Sequence, residues 1–191
     1  MSIYFFVILA TLVFVVGYVI TLYNELVSLK NQVAKNWANI DILLKQRNSE
    51  LTKLIESCQE YMKYEQATLE KIIQARNAMV TATDNKSMPA VIQAESALQG
   101  HMKQLFALAE NYPDLKTHET FNLLQRRISE LESSISDRRE LYNESVNFNN
   151  TAIQQFPAVF IANSCHFMPL ELFKVTEEEK QDVSIKAGFK P

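Results

Sequence analysis

A chain of 191 residues with a net charge of −3, three glycines and five prolines has the composition of a protein built from long helices rather than sheets. Its 19 Lys and Arg are dispersed among 22 Asp and Glu, leaving no basic stripe of the kind nucleic acid requires. The two cysteines, Cys58 and Cys165, stand far apart and are read as reduced, half-buried thiols rather than a disulfide framework.

In chain order, Ile3 to Leu22 carries no charge and is crowded with Phe, Val, Ile and Leu. About twenty residues at 1.5 Å rise match a hydrocarbon core of about 30 Å. Ile3, Phe5, Phe6, Leu12, Phe14, Val19 and Leu22 are the expected lipid-facing residues of an anchor over 1–23. No basic residue leads it and Tyr18–Thr21 is bulky, so an uncleaved span is favoured over a signal peptide. Lys30 and Lys35 follow it, which by the positive-inside rule puts the remainder in the cytoplasm.

From Val33 the spacing alternates four and three through Trp37, Ile40, Leu44, Leu51, Leu54, Cys58 and Tyr61, with Arg47 in the same register. That repeat predicts a helix packed lengthwise against others. No Gly or Pro occurs between Val19 and Met88, so a continuing or second helix follows to about Thr83, with Tyr64, Leu69, Ile72, Ile73, Arg76 and Val80 in its pattern. Thr83–Pro89 is the strongest break, with Pro89 suited to a first helical turn. The next helix carries Val91, Ala94, Leu98, Met102, Leu105, Leu108 and Tyr112 and ends at Asn111–Asp114. A last helix from near Thr117 runs through Phe121, Leu124, Ile128, Leu131, Ile135, Tyr142, Val146, Asn149, Ile153 and Phe156 to Pro157, with Arg138 in the remaining seam slot. The expected fold is all-α: a transmembrane helix continuous with an elongated antiparallel four-helix-type bundle over 24–157. Residues 158–175 form an apolar segment suited to capping the bundle, lying at a membrane surface or docking on a neighbour, and 176–191 a charged flexible tail.

Several separated blocks resemble the LemA family: YNELVSLKNQV with Trp37, Ile40-Asp41 and Leu44; Tyr61 with Glu65, Leu69 and Ala75-Arg76; ENYPDLK at 110–116; NLLQRRISELESSI leading into RRELYNESV; and FPAVFIA at 156–162. The resemblance covers all but about the last fifteen residues. It implies a single-pass anchor carrying an antiparallel helical bundle in bacterial envelopes, without established enzymatic activity, and a link of some relatives to magnetosome membranes. Three departures stand out: Gln46-Arg47-Asn48-Ser49 replaces a common Arg-Arg-His-Asp, Thr52 replaces a frequent Pro, and Tyr64 replaces a His, so no role resting on that histidine carries over.

No catalytic, cofactor or metal site is expected. None of His101, His118 and His166 follows a Glu by three residues, as a di-metal bundle site requires, and Cys165-His166 lacks an orienting acid. Arg47 and Arg138, at seam positions with Asp41 and Glu132 nearby, suggest either snorkelling side chains or a polar network fixing register. Tyr23, Tyr142, Phe160, Phe167 and Phe173 are candidate contacts to a partner or a second copy. The expected function is a membrane-tethered scaffold of the bacterial inner membrane, with the bilayer, copies of itself and an envelope protein as partners. A sensory or adaptor domain is the alternative.

Overall fold

The structure, a computed structural model, describes residues 2–85 and 87–173; the expected charged tail and the last two residues of the apolar segment lie outside the described residues. The described residues form six helices: α1 (Ser2–Tyr61), α2 (Gln66–Asp84), α3 (Met88–Ala109), α4 (Pro113–Thr117), α5 (Glu119–Ala152) and α6 (Ala158–Ser164). Among the described residues there is no strand. The expected all-α class and the continuity of the apolar N-terminal stretch with a bundle helix are both present.

Two compact units divide these elements. Of the described residues, one unit holds 2–42 and 135–172, the other 43–134 and Phe173. In the second unit, the end of α1, the helices α2, α3 and α4, and the start of α5 share one core. It includes Leu51, Leu54, Cys58, Leu69, Ile72, Leu98, Leu105, Leu115, Phe121 and Ile128. These fall at the three- and four-residue spacings that place side chains on one helix face. Arg76 Nη1 donates to Thr52 Oγ1 at 2.9 Å, the ring of Tyr61 stands 5.5 Å from that of His118, and Phe106 meets Phe121 edge-on.

The α1–α2 break needs no Gly or Pro. Met62 is fully buried and its N–H still bonds to Cys58 O, while the N–H of Glu65 turns back to Met62 O. Glu65 O then accepts from Thr68 and Leu69, opening α2. Tyr64 therefore sits on the turn and is exposed, not in the α2 seam as its spacing suggests. The buried face of α2 is Leu69, Ile72, Ala75, Met79 and Ala82, with Val80 turned outward. As expected, Pro89 lies in the first turn of α3; the tyrosine–proline break after α3 contains the single turn α4.

In the first unit α1 and α5 run antiparallel. Leu26 clusters with Ile153, Trp37 meets Tyr142 edge-on at 5.8 Å, and Asn36 Nδ2 donates to Leu141 O at 3.2 Å. The segment after Pro157 turns back on this pair. Its helix α6 ends with His166 in the left-handed region, φ 56°. The N–H of Phe167 reaches Ala162 O at 2.9 Å and that of His166 reaches Asn163 O at 3.4 Å. This is the two-bond closure that satisfies the last carbonyls of a helix. The left-handed position favours glycine. In thermal melts of the full chain in mild detergent, His166→Gly should hold or raise stability, whereas His166→Val should lower it by about 1–2 kcal/mol.

Candidate functional site

The most unusual side-chain arrangement lies inside the second unit. Arg47 occupies a seam position of α1 and is 2% exposed. Its Nη1 donates to Glu95 Oε1 at 2.7 Å and its Nη2 donates to Glu95 Oε2, the two-pronged geometry that planar guanidinium and carboxylate groups favour. Burial by itself would lower the Arg47 pKa. The hydrogen bonds and charge of Glu95, with the charge of Glu132, outweigh that and hold it above its ordinary value. The guanidinium therefore stays charged across the neutral range.

Of the polar set that the sequence suggests, Asp41, Arg47, Glu132 and Arg138, the interaction of Arg47 with Glu132 is present, and Arg138 needs correction. Arg138 is exposed and the neighbouring Arg139 is buried: the α5 seam steps from Ile135 by four residues rather than three, a choice that helical spacing leaves open. Asp41 is half-buried in the first unit. The true partner, Glu95, was absent from the sequence reading. Its signal was there: Val91, Ala94, Glu95 and Leu98 lie at i, i+3, i+4 and i+7 on one α3 face.

Elsewhere in the second unit, the Tyr112 hydroxyl donates to Glu65 Oε1 at 3.3 Å. That bond ties the α1–α2 turn to the ENYPDLK block. Cys58, fully buried, has its thiol pushed up to about 12 by burial, whereas Cys165 is exposed. Among the described residues no three His, Cys, Asp or Glu side chains come together as a metal site would need.

The expected contact residues are mostly used within the chain. The Tyr23 and Phe167 rings meet edge-on at 6.1 Å, and Lys30 Nζ stands 5.9 Å from the Phe167 centroid, within cation–π range. Tyr142 is buried and its hydroxyl donates to Glu171 O at 3.1 Å. Burial, and secondarily the Glu171 charge, raises its pKa. Asn150 clamps Leu170, accepting from its N–H at 2.8 Å and donating to its O at 2.9 Å. Phe173 is buried too. Of the five, Tyr23 stays exposed at 43%, and Phe160 is the most uncovered, at 65%, beside Phe156 at 80%. Phe156, read from its spacing as seam, falls outside because α5 ends at Ala152.

Removing one member of the buried pair strands the other charge. Arg47→Met or Glu95→Leu alone should cost about 3–5 kcal/mol, the double replacement markedly less, and Arg138→Met within about 0.5 kcal/mol. A double-mutant cycle by thermal denaturation measures all four. A maleimide should modify Cys165 in the folded chain and Cys58 only after unfolding. Because the folded Cys58 pKa is raised from 9.0 to about 12, the stability linked to its neutral thiol is intact below pH 9 and lost as pH rises toward 12. Melts of Cys58→Ala against wild type from pH 8 to 11 should converge accordingly.

Comparison with known proteins places these features in a family. Residues 36–187 match the model of the LemA family. The match thus starts after the YNELVSLKNQV block and extends further toward the C-terminus than the residues suggested. Protein LemA of Metamycoplasma hominis is 27% identical over 161 residues, 84% of this chain and 72% of its own length. Magnetosome protein MamQ of Magnetospirillum gryphiswaldense is 26% identical over 90 residues, 47% of this chain and 33% of its own. Magnetosome protein MamQ 2 of Paramagnetospirillum magneticum is 27% identical over 85 residues, covering 44% of this chain and 31% of its own length. The chain belongs to the LemA family.

Proposed function

We propose that this protein is a non-enzymatic, membrane-tethered scaffold of the bacterial envelope, which presents its helical bundle to copies of itself or to an envelope protein. One observation carries the reading: α1 is a single helix whose first part is long and apolar enough to cross a membrane and is exposed along its length, and whose later part supplies bundle core. Exposed apolar surface on that scale belongs in lipid rather than water. The LemA and magnetosome names of the relatives are consistent with a protein that works by organising rather than by turnover. Lys30 and Lys35 just beyond the span support a bundle on the cytoplasmic face of the inner membrane.

The full chain should stay in the membrane fraction through alkaline carbonate extraction and leave it in mild detergent; release by carbonate would remove the tether. In intact cells, a cysteine at the exposed Asp84 position (Asp84→Cys with Cys165→Ser) should escape a membrane-impermeant maleimide, and efficient labelling would reverse the orientation. Light scattering of the detergent-purified chain should give a mass above one copy, and a monomer would remove self-association from the proposal.

A further inference from the structure

The unused aromatic pair lies on the part of the molecule that leaves α1's apolar stretch. Two charge-free stretches meet there. One is residues 2–24 of α1, ended by Glu25; the other is residues 145–170, which contain no Asp, Glu, Lys or Arg and end at Glu171. The fold brings them together within the first unit, where Leu26 packs with Ile153 and Ala162 and Tyr23 meets Phe167. Leu26 is one helical turn, about 6 Å, beyond Leu22, so the α5–α6 corner stands at the level where the span ends.

That corner is not closed over its own apolar residues. Ala158, Ile161 and Phe167 pack inward, while Phe156, Phe160 and Met168 remain exposed. The rings of Phe156 and Phe160 meet edge-on at 5.8 Å and form one outward apolar ridge. Val19, Ile20 and Tyr23, at the end of the apolar stretch of α1, are exposed as well. Lys30, with its ammonium over Phe167, is the first Lys or Arg past the span.

We infer that the α5–α6 corner is a second membrane contact: Phe156 and Phe160 insert into the headgroup–acyl boundary of the bilayer that α1 crosses. The occupant is lipid rather than another protein because the corner packs on Leu26, one turn past the end of the span, and residues 145–170 contain no Asp, Glu, Lys or Arg. Aromatic and aliphatic groups presented at that depth bury apolar area without carrying charge into the hydrocarbon. Two attachment points fix the tilt and rotation of the first unit on the membrane, which a lone span leaves to its neighbours.

The inference rests on the reading of α1 as a membrane span, and the experiment separates the two. The full-length chain with Trp37→Phe is placed in phosphatidylcholine nanodiscs with one tryptophan restored at a time: Phe14→Trp in mid-span, Phe156→Trp, Phe160→Trp, and Leu141→Trp. Leu141 is paired with Asn36, about 21 Å along α1 from Leu22. Lipids brominated near the headgroup should quench Phe156→Trp and Phe160→Trp most, and those brominated deep in the chain Phe14→Trp, with Leu141→Trp unaffected. Quenching of Phe14→Trp alone, with Phe156→Trp and Phe160→Trp as silent as Leu141→Trp, would overturn the corner contact and leave the span. Silence at Phe14→Trp would overturn both. If the Trp37→Phe background loses helix content, an environment-sensitive dye on Phe160→Cys with Cys165→Ser reads the same depth, since Cys58 is buried. A dye quenched by aqueous iodide, not by brominated lipid, overturns the inference.

Discussion

Helix α1 answers to two solvents with one backbone. Over its first twenty or so residues the side chains are apolar and uncovered, and only a structure that pairs every N–H and C=O internally is stable in hydrocarbon. A helix meets that condition. With no Gly or Pro after Gly17 until Pro89, the same helical geometry persists past the interface, and what changes is the pattern on its surface. From Leu26 onward buried residues recur at steps of seven, four or three residues through Val33, Ile40, Leu44, Leu51, Leu54 and Cys58. Each of the two units is then built on a part of this stripe.

In the second unit the stripe contains a charge, and its answer is geometric. A buried guanidinium is tolerable only with its donors engaged. Glu95 engages two of them, and Glu132 adds its field. A rotation of α3 that would leave Val91, Leu98 and Leu105 acceptable to an apolar core would pull Glu95 off Arg47. Apolar contacts alone permit small slips between helices, whereas a two-pronged ion pair does not. Stability is not its evident gain, since well-packed apolar replacements are often as stable.

Much of this was legible in the sequence because long helices write their buried faces periodically. The seams of α1, α3 and α5, the proline-led start of α3 and the apolar span follow from spacing and composition. The misses cluster where periodicity is ambiguous or stops. Arg138 and Arg139 both fit a helical step after Ile135, and only the packed structure turns the second inward. Tyr64 and Phe156 have seam spacing but lie just beyond helix ends, where the angular rule no longer applies. The Met62–Glu65 turn contains no breaker residue; burial of Met62 and the carbonyl of Glu65 define it, and neither is visible in a list of residue types. Glu95 went unread because a carboxylate on an apolar face looks like an interruption until its arginine is found.

The end of the chain shows how one short segment sorts apolar residues between two environments. Helix α6 has seven residues, enough for two turns and therefore for one inward stripe. Ala158, Ile161 and Ala162 fill that stripe against Leu26 and Ile153, the two alanines letting the short helix approach closely. The closure at His166 then aims Phe167 at Tyr23 and Lys30, and Asn150 holds Leu170 through both its backbone groups. Phe156, ahead of α6, and Phe160, within it, stay outside that stripe. Their exposure is a geometric consequence of how well the rest of the segment folds back, and their position beside the end of an apolar span determines which solvent they meet.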